Sequence, residues 1–406
     1  MASVFAWLDF SEKERRSALE VIDLFREEDT RDELGLGVIR DAFSDLLFPG
    51  TSTIQTRARY FLFVAWLLKE LEDRGIASSD WASCSRKQQG RLRNSLIAGG
   101  EEIGVIGYRA GLHVQRLPHS VYWLGLRRWG IFRFHGSEEE YYRSLDLGYR
   151  RHGRSLRADD GEPIGDAWVP NWDPHLPRRP DGLLRSVRFN LEPAEADYLI
   201  HRIAVRAGNS LLHHLIELRK LVDEDAGFIW EHVEPDDLPH PLRSHVTHAR
   251  NFSEAMHGAA LLYNLMLAEE KGRSDWIDDY RLQLVEWWSM LQTRGQALQS
   301  WDRHAFWQTI HDAGGRVPPQ TLHFVEVWCD TLFATSNINI LIENEHARSL
   351  IADREHRLKR ARARIGNPRA LELWTGAAGT AQMDYRWGRP VSTLINDILK
   401  PIVKEG

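Results

Sequence analysis

The sequence has little cysteine: two residues in 406, Cys84 and Cys329, with no CxxC spacing. That excludes a disulfide framework and a thiolate zinc knuckle, and it suits a reducing compartment. Long apolar runs are also missing. The longest, Tyr60–Leu68 (YFLFVAWLL), is less than half of the ~20 residues a membrane span needs. Met1–Trp7 is too short for the hydrophobic core of a secretion signal. Basic residues are not in excess, since 52 Lys and Arg face 58 Asp and Glu for a net charge of −6. Coating of a polyanion by the whole surface is therefore excluded, and any nucleic-acid contact must come from a local cationic cluster. With 43% apolar and 27% charged residues, the fibrous, low-complexity and disordered classes fall away too. No HExxH, GxSxG or Walker motif occurs, and neither cysteine has the local context of a nucleophile. These absences predict a globular, cytoplasmic protein with no cofactor, no bound metal and no membrane partner.

What is present is helical periodicity, together with 16 tryptophans and 18 histidines. Ser11 and Glu14 have capping-box spacing ahead of Leu19, Ile22 and Phe25. Residues 34–48 form a second amphipathic stretch, stopped by Pro49-Gly50. A third helix is expected from Ser52, with Gln55 at the reciprocal capping position and a largely apolar body through Asp73. In residues 117–134 the pattern reads as a helix ended at Gly130 and then a strand. Prolines 163, 170, 174, 177 and 180 mark a long irregular segment, and apolar residues recur at helical spacing through most of the remainder. The predicted fold class is mainly α, in three parts. Residues 1–150 form a helical domain with a winged-helix-like part, 151–182 a Pro/Trp-rich connector loop, and 183–406 a larger all-α domain.

Four constellations are candidates for function. In Thr51–Arg59 (TSTIQTRAR), Thr51, Ser52 and Thr53 precede a helix start, with Arg57 and Arg59 close behind. Unsatisfied amides, the helix dipole and two guanidiniums would suit a phosphate there. The competing reading is that Ser52 only caps the helix while the arginines pair with Asp41 or Asp45. With the preceding helix this also looks like helix-turn-helix, although Tyr60–Leu68 lacks the exposed polar face a recognition helix needs. The second candidate is Arg354–Arg369 (REHRLKRARARIGNPR), whose single acid is Glu355. As a helix it would align Arg357, Arg360 and Arg364, to meet either a nucleic acid or acidic side chains such as Glu343 and Glu345.

Third, in the histidine-rich segment His240–His257 and the helix that follows, Arg250, Glu254, His257 and Asn264 form a polar stripe on an otherwise apolar helix, with His248 spaced by three from His245. Glu254 three residues before His257 is half of a bundle di-metal motif, but no matching second half is found, which favours a buried structural network. Fourth, Trp168 and Trp172 in the proline-rich segment are candidate anchors for a partner protein. Near the end, Thr375, Gly376, Gly379 and Thr380 lack the Lys-Ser/Thr of a P-loop, so that stretch is read as a structured loop locked by Trp374, Tyr385 and Trp387.

The segments DAFSDLLFPGTSTIQTRARYFLFVAWL (41–67), HARNFSEAMHGAALLYNLMLAE (248–269), LPHSVYWLGLRRWGIFR and MDYRWGRPVSTLINDIL resemble an uncharacterised bacterial family, domain of unknown function 6361. The resemblance implies a genomic setting in anti-phage defence clusters beside helicases and nucleases, and it transfers no catalytic residue. The resulting expectation is an accessory component of a DNA-directed defence complex. It would bind DNA through Thr51, Ser52, Thr53, Arg57, Arg59, Arg357, Arg360 and Arg364, and dock a helicase or nuclease subunit. The alternatives are a metal-dependent hydrolase or nuclease centred on the His248–His257 helix, and a scaffold that binds no DNA.

Overall fold

The computed structural model describes residues 32–111, 114, 116–155 and 170–403. Its longer helices are α1 (Gly37–Leu47), α2 (Tyr60–Asp73), α3 (Ser78–Ala98), α4 (Pro118–Arg128), α5 (Glu138–Ser155), α6 (Pro193–Ala207), α7 (Leu242–Lys271), α8 (Ser274–Thr293), α9 (Arg303–Asp312), α10 (Pro319–Ala334), α11 (Glu345–Lys359) and α12 (Ser392–Leu399). The class is all-α, with no strand among the described residues. The helix expected around Ser11–Phe25 lies outside them.

The winged-helix element expected after Gly130 is not formed among the described residues. Phe132 instead makes an isolated antiparallel bridge with Trp172. The backbone of this stretch bonds to one passing segment and not to a hairpin: Arg133 N donates to Asn171 O at 2.7 Å and Asp173 N to Ile131 O at 2.9 Å. Rings then seal it, Phe132 lying 4.6 Å from Trp172 and 4.9 Å from Tyr141.

The chain forms two compact units, each assembled from separate stretches. Unit 1 comprises Met1–Phe43 and Ser244–Tyr385; unit 2 comprises Ser44–Arg243 and Arg386–Gly406. Residues 150 and 182, the boundaries drawn from composition, both fall within unit 2.

In unit 2, α2 is the spine because its first nine residues are apolar on every face, and all of Tyr60–Leu68 is buried. Trp129, just after α4, stacks on Phe61 at 3.9 Å and donates its indole N–H to Pro49 O at 2.9 Å. That packing requires glycine at 125, where an added Cβ would stand 2.4 Å from the Gly50 carbonyl oxygen. α5 opens with a capping box, Ser137 N donating to Glu140 Oε2 and Glu140 N to Ser137 Oγ.

In unit 1 the corresponding spine is α7. It buries Phe252, Ala255, Met256, Ala259 and Leu262. Gly258 leaves the space that the Trp287 ring fills, and Trp287 and Trp328 donate to the α7 carbonyls of Glu254 (2.7 Å) and Ala255 (2.9 Å). Phe306 stacks on Phe43 at 5.5 Å and on Phe252 at 5.3 Å, tying α1 and α9 to that spine.

Candidate nucleic-acid interface

The 51–59 segment does make an anion site, and the protein's own carboxylate fills it. Helix α2 begins at Tyr60, so Ser52 is not its cap and Arg57 and Arg59 precede the helix. The amides of Thr56 and Arg57 donate to Tyr122 Oη at 2.9 and 3.0 Å, and Ala58 N donates to Asp397 Oδ2 at 3.0 Å. Arg57 grips the same carboxylate through Nε (2.9 Å) and Nη2 (2.8 Å). Burial alone would lower the Arg57 pKa, but the Asp397 bonds and charge outweigh it and raise the pKa. Arg59 is buried, donating to Glu195 Oε1 and to Arg188 O at 2.8 Å each. Thr51 is buried and bonds Phe48 O, the Ser52 hydroxyl is buried without a partner among the described residues, and only Thr53 of the three hydroxyls is exposed. The phosphate reading of Thr51, Ser52, Thr53, Arg57 and Arg59 is therefore corrected: two carboxylates already neutralise the two arginines. Their partners are also not the expected ones, since Asp45 accepts from Arg386 and Asp41 from Arg40. The helix-turn-helix likeness falls with it, because the first nine residues of α2, Tyr60–Leu68, are buried on every face.

The basic run of unit 1 divides into buried and exposed cations. Glu355, the lone acid, is its hub. Completely buried, it accepts from Tyr263 Oη, from Lys359 Nζ at 3.0 Å, and from the amides of Arg364 and Ile365 at 3.0 Å each. Those two amide bonds fold the chain back, so α11 stops at Lys359 and Arg360 sits at φ +52. Arg357, Arg360 and Arg364 consequently do not lie on one helical face, contrary to the expectation from spacing. Arg364 points into the hub, bonding Glu33 at 2.9 Å and Tyr263 at 3.1 Å, and Lys359 pairs with Glu33 as well. Arg354 is buried against the carbonyls of Leu34 and Gly35 and the Thr321 hydroxyl. Glu343 pairs with Arg281 instead of the run. The side chains of Arg357, Arg360, Arg362 and Arg369 remain exposed, with no ion pair or hydrogen bond among the described residues.

The polar stripe of α7 holds down a loop. Asn264 Nδ2 donates to Ala378 O (2.9 Å), His257 Nε2 to Thr380 O (3.0 Å) and Ser253 Oγ to Met383 O (2.8 Å), while Tyr385 Oη donates back to Ala249 O (2.7 Å). A loop without regular structure needs partners for its carbonyls, and the stripe supplies them. Glu254 is buried between two guanidiniums: Arg250 Nε donates to Oε1 at 2.8 Å, and Arg294 binds Oε2. His248 accepts from Trp301 Nε1 at 3.0 Å. Among the described residues no three His, Cys, Asp or Glu side chains converge in a way that would hold a metal. Trp374, Tyr385 and Trp387 are all buried.

Burial pushes the pKa of both His248 and His257 down to about 4, so both are neutral in the folded chain at pH 7. The unfolded chain takes up those protons near the ordinary histidine value of about 6.5. Between those limits the unfolded state binds more protons, and stability falls as pH falls. Urea unfolding of the wild type should lose stability between about pH 6.5 and 4. The His257→Gln variant should show a shallower loss over that window; an identical pH profile would remove His257 from the explanation.

Trp172 is buried and donates Nε1–H to Glu72 at 2.8 Å, so it is a structural residue of unit 2 and not an exposed anchor. Trp168 lies outside the described residues. Sequence reasoning passed over α3 entirely. Its outer face carries Arg86, Lys87, Arg91 and Arg93 around an open groove of ≈ 500 Å³. The available signal was cations recurring at helical spacing after Ser78.

Fold and site together define an all-α protein in which some arginines are closed off by carboxylates, such as Arg57 and Arg59, while other cations, such as Lys87, Arg91 and Arg357, stand exposed. No helix among the described residues is long and apolar enough to cross a membrane. The chain belongs to the family of unknown function DUF6361, whose model matches residues 2–398. No curated protein matches the chain, and no solved structure does.

Proposed function

We propose that this protein is an accessory nucleic-acid-binding component of a DNA-directed anti-phage defence complex in the bacterial cytoplasm. Unit 1 contacts the phosphate backbone through Arg357, Arg360 and Arg362. One observation carries the binding half of this reading: in a run of seven cations, the fold buries Arg354 and neutralises Lys359 and Arg364 with Glu33 and Glu355, yet leaves these three, with Arg369 further on, exposed and without a side-chain partner among the described residues. A backbone held at φ +52 at Arg360, in a turn fixed by Glu355, is the kind of strain that surrounding bonds maintain at a functional surface. The defence setting rests on the family resemblance alone, as does a helicase or nuclease subunit as partner.

Charge reversal tests the binding. The Arg357→Glu, Arg360→Glu, Arg362→Glu variant removes three phosphate contacts, each worth about 0.9 in the slope of log K against log salt. Affinity for mixed-sequence duplex and single strands should fall at least about tenfold at low salt while the melting temperature is unchanged. Affinity equal to wild type contradicts the reading.

A further inference from the structure

The outer face of α3 is built differently from every other part of unit 2 described above. Its inner face buries Trp81, Leu92 and Leu96 together with Ser85, Gln88, Gln89 and Ser95. The outer face presents Ser83, Arg86, Lys87, Gly90, Arg91, Arg93 and Asn94 around the ≈ 500 Å³ groove. Four of these are cations, none is an acid, and none is an aliphatic or aromatic side chain. Among the described residues Arg93 is fixed by neutral acceptors: Nε donates to Gly107 O at 2.7 Å, Nη2 to Tyr108 O at 2.7 Å and Nη1 to Asn94 Oδ1 at 2.9 Å. Carbonyl partners hold a guanidinium in place without cancelling its charge. The contrast with Arg57 and Arg59, each closed off by a carboxylate, is the informative one. The Asn94 Nδ2 protons are unused by the Arg93 bond and stand near one end of the row, while the Ser83 hydroxyl at the other end donates to Asp80 O at 2.8 Å.

We infer that this face of α3 is a second docking site for a phosphodiester backbone, distinct from Arg357, Arg360 and Arg362 and standing independently of that reading. The lining decides between a nucleic acid and an acidic protein. Protein interfaces centre on apolar and aromatic anchors, of which this groove has none. Backbone phosphates are gripped by Arg and Lys with neutral donors such as a side-chain amide beside them, and Lys87, Arg91, Arg93 and Asn94 supply that set here. Gly90 keeps the middle of the groove free of a side chain, allowing close approach. From Ser83 to Asn94 the helix spans about 16 Å at 1.5 Å per residue, room for about five nucleotides of one strand at 3.4 Å each.

The test uses the full chain with fluorescent mixed-sequence duplex and single-strand DNA between about 50 and 200 mM salt. The Lys87→Glu, Arg91→Glu variant should bind at least about tenfold more weakly at the low-salt end, with the log–log slope shallower by about 2. The neutral pair Lys87→Gln, Arg91→Gln should lose less affinity and the same slope, and it serves if the reversed pair fails to fold. Unchanged affinity and slope in the neutral pair overturns the inference. So does a variant that keeps DNA affinity but loses binding to polyglutamate, which would mark the face as a site for acidic protein. Loss in the α3 variant with none in the Arg357, Arg360, Arg362 variant supports α3 and refutes the unit 1 reading; the reverse refutes α3 alone.

Discussion

Replacing Glu355 by alanine should destabilise unit 1 by about 3–5 kcal/mol, the usual cost of removing one member of a buried charge pair. Four donors converge on this one carboxylate, and two of them are backbone amides that no side-chain rearrangement can carry away. The lysine left behind is largely buried and keeps only Glu33 as a counter-charge. Burial pushes the Glu355 pKa up, but the Tyr263 hydroxyl, the two amides and Lys359 together pull it below the ordinary glutamate value. A carboxylate with a depressed folded pKa contributes its full stabilisation above the unfolded value of about 4.3 and loses it as pH falls through the folded value. Glu355→Gln keeps an acceptor but places an amide donor against a donor. It should cost less than alanine and leave the unfolding curve less sensitive to acid below about pH 4.3. Urea titration of both variants checks this; a loss under about 1 kcal/mol in the alanine variant would remove Glu355 as the organiser of the basic run.

The second large effect is expected at Asp397. Its side chain is 3% exposed, while that of Arg57 is 22% exposed and can partly hydrate once the pair is broken, so the charge component should lie at the low end, about 3 kcal/mol. Loss of the acceptor for Ala58 N adds about 1–3 kcal/mol, because a buried amide is left unpaired. Asp397→Ala should therefore lower the melting temperature of unit 2 by roughly 10 °C. Asp397→Asn keeps an oxygen for the amide and should recover part of that. The phosphate reading of the 51–59 segment predicts the opposite sign for DNA affinity, since removing the competing carboxylate would free the cradle. The internal-anion account predicts no gain in affinity from either substitution.

The segments legible in the sequence were those whose buried face is apolar. α1, α4, α6, α9 and α10 fall where Phe43, Leu126, Leu199, Phe306 and Trp328 recur with helical spacing. α3 was illegible because its inner face is largely polar. Ser85, Gln88 and Gln89 are buried there, with Gln89 accepting the His119 amide and donating to Ser85 Oγ. Periodicity of hydrophobicity cannot register a face satisfied by hydrogen bonds. The start of α2 misled for another reason. Ser52 and Gln55 have capping-box spacing, and Ser52 N does donate to Gln55 Oε1 at 3.3 Å, but in a turn ahead of the helix. Tyr122 and Asp397 take the following amides from 65 or more positions away in sequence, beyond the range of any local pattern. The candidate site was half legible. Counting cations located the run at 354–369, yet the role of Glu355, which decides which of them face solvent, depends on Tyr263 and Glu33, both remote in sequence.

The most direct test of the central claim, that exposed and unpaired arginines hold a polyanionic backbone, is the salt dependence of DNA binding by the unmodified chain. With Arg357, Arg360 and Arg362 as contacts, log K should fall linearly with log salt at a slope of about −3, steepening toward −5 if Lys87 and Arg91 of α3 engage the same molecule. A slope near zero, or no measurable association at about 50 mM salt, would contradict it.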